Sequence, residues 1–208
     1  MSAQPAPTDG VPSWEAMVRG LDGRLAETSR DPGPVVVLVG PMGAGKTTVG
    51  RALAEATGRV FVDSDALFED AFGSIPAYFT SRGEPEFRRQ EERVIAHVLA
   101  HPAPCVLACG GGAVLSAATR ARLADPRAVV VSLQVAEPEA LRRLGGGAGR
   151  PVLAGDPAGR WKAVLAERAP LYAEVADLTL DGTGHRPGDI ASRIVEAIPT
   201  LPRRHTRP

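Results

Sequence analysis

From Val35 onward, short apolar runs alternate with stretches whose apolar positions recur every three to four residues, the periods of buried strands and of helices. The runs "VVVLV" (35–39), "VFV" (60–62), "CVLA" (105–108), "AVVVSL" (128–133) and "DLTL" (177–180) predict five strands. Helical periodicity predicts helices near 45–57, 65–72, 84–100, 116–124, 137–144, 158–168 and 187–197. Strands that are apolar on both faces and separated by helices indicate an α/β fold, a five-stranded parallel sheet flanked by helices. Such a sheet binds ligands beyond the carboxyl ends of its strands.

Outside this block the pattern changes. Residues 1–12, "MSAQPAPTDGVP", are rich in proline and small polar residues and are expected to be disordered. Over 13–29 a Ser13 cap signal precedes Trp14, Met17, Val18, Leu21 and Leu25 on one helical face, with Gly20 and Gly23 weakening it, so an appended helix is expected. "DPGP" (31–34) breaks the chain before the compact domain. The division expected is an extension over 1–34, a domain over 35–198 and a disordered basic tail over 199–208.

Charge narrows the partners: 24 basic residues balance 24 acidic ones, and the pI is near 6.9. Neither nucleic acid nor an anionic membrane is favoured, whereas small charged metabolites are compatible. No apolar run approaches 18 residues and no signal-peptide pattern opens the chain, so a soluble cytoplasmic protein is expected; separately, a monomer is expected. Cys105 and Cys109 read as buried small hydrophobes, and the four histidines as surface residues without metal-ligand spacing. The only lysines are Lys46 and Lys162.

Lys46 belongs to "GPMGAGKT" (40–47), which fits G-x-x-x-x-G-K-S/T and follows a predicted strand while opening a predicted helix. Gly40, Gly43 and Gly45 would let the backbone turn so that several N–H groups face a phosphate at a helix N-terminus, Lys46 would neutralise the β and γ phosphates, and Thr47 would ligate magnesium. "VDSD" (62–65) then sets Asp63 and Asp65 at equal parity on an extended segment, both able to face the cleft. One reading gives one aspartate to the magnesium and the other to a hydroxyl nucleophile. A second makes Asp63 or Ser64 a helix cap, and the two can coexist.

In "EFRRQEERVIAHVL" (86–99), Phe87, Val94, Ile95 and Val98 mark a buried face, Arg88 borders it, and Arg89 lines up with Arg93 and His97 on a polar side. Arg88 is the better anion ligand, braced by Glu91 or Glu92, although such pairs are also common on helix surfaces. Gly110, Gly111 and Gly112 end the strand whose neighbours carry the phosphate loop and the aspartates. They form either a loose turn or bare backbone against which a substrate lies. Arg150 in "GGGAGRPVLAG" (145–155) is either a lid arginine or an idle linker residue. Arg168 in "ERAPLY" (167–172) can pair with a carboxylate or complement a helix C-terminus that Pro170 is expected to enforce.

Taken together, "LVGPMGAGKTTVGRALAEATGRVFVDSDALFE", "EPEFRRQEERV", "CGGGAVL", "GRPVLAG" and "ERAPLY" resemble, in order and interval, the shikimate kinases over residues 35 to about 198. The resemblance implies a P-loop kinase fold like that of nucleoside monophosphate kinases, with a mobile lid, and transfer of the ATP γ-phosphoryl group to the 3-hydroxyl of shikimate. It implies that Gly43 to Thr48, with Thr48 included, cradle ATP, and that Thr47 and Asp63 serve Mg2+. Asp65 would accept the hydroxyl proton, and Arg88 and Arg168 would clamp the shikimate carboxylate beside Gly110, Gly111 and Gly112. Phe79 and Phe87 would wall the pocket, Arg150 would reach the transferred group and Arg143 would lie against adenine. His185 stands where many members have an arginine, and residues 1–34 have no counterpart in the compact family domain. The alternatives are a kinase for another small metabolite such as gluconate, and a module that binds ATP without catalysis.

Overall fold

The computed structural model describes residues 14–26, 33–145 and 155–201. The expected disordered segment over 1–12, the expected lid with Arg150, and residues 202–208 of the expected tail lie outside them.

Five strands, β1 (Val35–Val39), β2 (Val60–Asp63), β3 (Cys105–Ala108), β4 (Ala128–Gln134) and β5 (Leu178–Asp181), form one parallel sheet in the order β2-β3-β1-β4-β5. β1 is central and buried at every position, which accounts for its uninterrupted valine and leucine run. Its alternate residues feed two cores. Val35, Val37 and Val39 pack on one side with Cys105, Leu107 and Cys109, and Val36 and Leu38 pack on the other with Val106, Val131 and Leu133. Each such side chain contributes about 1.5–3 kcal/mol on burial, so a polar residue in β1 would be costly on either face. Both cysteines are free and buried.

Helices α2 (Lys46–Thr57) and α9 (Pro187–Ala197) cover one face of the sheet with Trp161 of α8 (Pro157–Val175). The other face receives α1 (Trp14–Ala26), α3 (Ser64–Phe72), α5 (Glu84–Ala100) and the C-terminal part of α8. Short helices α4 (Ile75–Arg82), α6 (Ala117–Leu123) and α7 (Glu137–Arg143), and 3-10 turns at Ala113–Leu115 and Ile198–Thr200, complete the described chain. The last turn carries ordered structure past residue 198, where the tail was expected to begin. No helix among the described residues is long and apolar enough to cross a membrane.

Three elements depart from the sequence pattern. α4 stands where the pattern predicts nothing, because none of its residues is buried and no apolar period marks it. α8 runs through Pro170 to Val175 instead of stopping near 168. Proline removes one N–H from the ladder, but Trp161, Arg168, Tyr172 and Val175 are all buried along one side, and that packing holds the helix together past the missing bond. α3 begins at Ser64, so Asp65 lies in a helical first turn and the equal-parity argument for it does not apply.

Candidate active site

The carboxyl ends of the three neighbouring strands β2, β3 and β1 carry Asp63, the glycines after Cys109, and the 40–47 loop. Register sets Asp63 and Leu38 on either side of Ala108, and the Cys109 N–H donates to the Leu38 carbonyl at 3.0 Å. The motifs therefore meet because their strands are adjacent, although the nearest two of them, at Thr47 and Asp63, lie 16 positions apart in the chain. They border a cleft of about 650 Å³ that also reaches Phe79, Arg88, Arg168 and His185.

At one end Gly45 has φ +88°, a left-handed turn that only glycine adopts without strain, and it opens α2 with no side-chain cap. The N-terminus of α2, with its partial positive charge, therefore faces the loop without a capping side chain, the arrangement that suits an anion. Gly43 and Ala44 precede it, and exposed Thr47 and Thr48 follow. Lys46 Nζ donates to the carbonyls of Gly40 at 2.8 Å and Pro41 at 3.0 Å, which folds the lysine over the loop. Arg143 reaches the same loop, donating to the Gly43 carbonyl at 3.1 Å and the Gly182 carbonyl at 3.3 Å while paired with Glu139. From α8, the Trp161 indole N–H donates to the Met42 carbonyl at 3.1 Å.

Asp63 divides its two oxygens. Oδ1 caps α3, accepting from the N–H groups of Asp65 at 3.0 Å and Ala66 at 3.4 Å, while Oδ2 accepts from the Thr47 hydroxyl at 2.8 Å. Capping and cation binding are therefore compatible in one carboxylate. Among the described residues no group of three or more His, Cys, Asp or Glu side chains could hold a metal by itself. A hydroxyl beside a single carboxylate fits magnesium, which keeps several waters and takes phosphate oxygens from its nucleotide.

Asp65 faces the middle of the cleft. Burial pushes its carboxyl up to about 6, Glu91 and Asp63 add to the rise, and Lys46 and Arg88 oppose it. Gly110 is packed so closely that a Cβ would lie 2.5 Å from Asp65 Oδ1 and 2.6 Å from Glu91 Oε1. A Cβ on Gly112 would lie 2.3 Å from Arg88, so these two glycines make room for charged groups. Gly111 also lines the cleft, and a Cβ there would meet only ordinary contacts.

The far end is cationic. Arg88 donates to Glu91 Oε2 at 2.7 Å and to Glu84 Oε1 at 3.1 Å, and its guanidinium lies 5.1 Å from the Phe87 ring centre. Of the two expected braces Glu91 is one, buried with its carboxyl pushed above the usual range by desolvation, whereas Glu92 accepts from Ser116 instead. Arg168 is 8% exposed, and its Nε is buried with no hydrogen-bond partner among the described residues. A buried donor of that kind awaits an acceptor. Phe79 and Phe87 meet as tilted rings, 4.5 Å between centres, on the cleft wall.

Reasoning from the sequence passed over Glu84, Tyr172 and Trp161. Tyr172 lies in the quoted "ERAPLY" motif, and its hydroxyl donates to the Gly111 carbonyl at 2.5 Å, joining α8 to the glycine turn. His97 is no idle surface residue, since its Nε2 is 2.9 Å from Asp22 of α1.

The sequence model of the shikimate kinase family matches residues 42–199. The chain belongs to the shikimate kinase family. Among its relatives, the shikimate kinase of Thermobifida fusca (strain YX) is 45% identical over 168 residues, 80% of this chain and 95% of that protein. The shikimate kinase of Saccharopolyspora erythraea is 47% identical over 167 residues, covering 79% and 94%. A solved structure of the shikimate kinase of Acinetobacter baumannii in complex with shikimate superposes with a TM-score of 0.77 at 40% identity, over 81% of this chain and 94% of that one. Kinship to the family rests on the domain, because α1 precedes the matched residues.

Proposed function

We propose that the chain transfers the γ-phosphoryl group of ATP to the 3-hydroxyl of shikimate, giving shikimate 3-phosphate and ADP. One observation carries this reading. A single cleft joins a phosphate loop at one end to two arginines at the other, one of them buried with an unpartnered Nε. A small ring acid needs both ends, since its carboxylate must be held by a few bidentate contacts while its alcohol faces the nucleotide.

In this reading the N–H groups of Gly43 to Thr48 and the Lys46 ammonium bind the triphosphate, with Lys46 exchanging the Gly40 and Pro41 carbonyls for phosphate oxygens. Thr47 and Asp63 hold Mg2+, which when bound neutralises charge on the phosphates. Arg168 and Arg88 take the shikimate carboxylate, Arg88 giving up its exposed partner Glu84 and keeping Glu91. Gly110, Gly111 and Gly112 pass along the ring, and Phe79 and Phe87 close its apolar side. Asp65 then accepts the proton of the 3-hydroxyl as its oxygen bonds to phosphorus and the bond to the ADP oxygen breaks. Arg150, outside the described residues, is assigned by its motif to the transferred group, and Arg143 and His185 to the nucleotide side. Rate comes from in-line positioning and charge stabilisation, so most of the site is a rigid electrostatic frame. The same reading takes the protein as a cytoplasmic monomer acting on small molecules, with no nucleic-acid or membrane partner.

The test is ADP release by purified protein across a panel of acceptors. Release is expected with shikimate and Mg·ATP together and not with either alone. Equal release with gluconate, or none with any acceptor, would overturn the assignment.

A further inference from the structure

α1 lies outside the residues that the family model matches, yet it is part of the core: Met17, Leu21 and Leu25 are buried with residues of β1 and β3. That stripe explains attachment. It leaves Trp14 unexplained, a half-buried ring at the start of the helix that stacks on Phe72 at 6.1 Å with 21° between the planes. Two residues from the polar side of α5 meet the same ring, Arg93 with its guanidinium 3.9 Å from the ring centre and His97 edge-on at 6.0 Å. His97 in turn holds Asp22, two turns further along α1.

From Phe72 the ring contacts continue toward the cleft. Phe72 meets Phe68 at 4.9 Å, Phe68 meets Phe87 at 4.8 Å, and Phe87 meets Phe79 at 4.5 Å. Tyr78 closes the cluster against Phe68 at 5.0 Å and Phe72 at 5.8 Å. One end of this run is in α1, and the other is the pocket wall beside Arg88. α4, which carries Tyr78 and Phe79, has no buried residue of its own. It is held by these rings and by the Ile75 N–H donating to Glu69 of α3 at 3.1 Å. Its position is therefore inherited from α3 and α5, the two helices between which Trp14 is wedged. The phosphate loop opens α2, whose core residues lie on the opposite face of the sheet from α1.

We propose that α1 is a positioning element for the acceptor side of the cleft: Trp14, by packing on Phe72 between α3 and α5, sets the Phe79 and Phe87 wall. This rests on the reading of that wall as the shikimate side. The claim is asymmetric, because every ring of the cluster belongs to α1, α3, α4 or α5 and none to the phosphate loop or α2.

Steady-state kinetics on the full chain test it, with Trp14→Ala, Trp14→Phe and Arg93→Ala. Losing ring contacts of this kind should raise KM for shikimate about 3- to 10-fold in Trp14→Ala, with kcat and KM for ATP within about twofold. Trp14→Phe should restore most of the acceptor KM. A purely structural helix would lower the melting temperature and either leave the acceptor KM unchanged or raise both KM values together, and either result overturns the proposal. Arg93→Ala removes the cation from the ring without opening the core, so it gives the same comparison if Trp14→Ala is too unstable to assay. An acceptor KM that stays at the wild-type value there also overturns the proposal. A wild-type enzyme that ignores shikimate but uses another acceptor would defeat the substrate reading instead, and the same KM comparison would then be made with that acceptor.

Discussion

Asp65 sits where a carboxylate is costly, near Glu91 and Asp63 and against a glycine that leaves it no spare room. That cost suits the role of base proposed for it, since a carboxyl raised to about 6 holds a proton more firmly than an ordinary aspartate yet is ionised at neutral pH. Asp65→Asn should lower kcat by more than ~100-fold with KM for ATP nearly unchanged; substantial residual turnover would demote Asp65 to a positioning residue. The pH profile follows from the direction of the shift. A base must be deprotonated, so kcat/KM for shikimate should fall as pH drops through about 6, whereas an unshifted aspartate would keep it flat down to about 4. A profile level from pH 8 to 5 would contradict the assignment. Asp63 teaches a related lesson: one oxygen caps α3 while the other accepts from the Thr47 hydroxyl, so the capping reading holds and leaves the second oxygen on the side where magnesium is proposed.

At the scale of elements, what was legible depended on whether a local rule was at work. The phosphate loop and its flanking strand and helix were readable because glycine, lysine and threonine positions carry the mechanism in one short run. The cleft end of β3 was readable because strand runs and turn glycines are local too. α4 was not, since a helix without a buried face has no period to show. Pro170 misled because a propensity rule was applied where tertiary packing prevails, and the continuation of α8 is what brings Tyr172 to the glycine turn. Tyr172→Phe should therefore destabilise the fold by about 1 kcal/mol and raise KM for shikimate roughly fivefold, as expected for one lost hydrogen bond to the turn proposed to lie along the substrate. Chemical denaturation together with the KM split between acceptor and ATP checks both halves, and an unchanged acceptor KM would detach Tyr172 from the site. The polar side of α5 is polar as read, but Arg93 and His97 also meet α1, a partner that no helical wheel of α5 can reveal.

For the whole molecule, the strand order explains why residues from three separate segments meet, and two cores on opposite faces separate α1, α3 and α5 from α2, the helix that opens at the phosphate loop. Binding to the folded state alone should appear as heat stability. Shikimate at 100 times its Kd should stabilise by about 2.7 kcal/mol. For a chain of this size that is a rise of roughly 5–10 °C in Tm. Arg168→Ala should lose most of this rise while keeping the response to ATP, and an undiminished shift would remove Arg168 from the acceptor site. The central claim is a geometry, an acid held by Arg88 and Arg168 with its alcohol turned toward Asp65 and the phosphate loop. A crystal structure with shikimate and ADP tests it most directly. The account predicts the carboxylate on both guanidinium groups and the 3-hydroxyl within hydrogen-bonding distance of Asp65; a ring bound with its acid away from both arginines would contradict it.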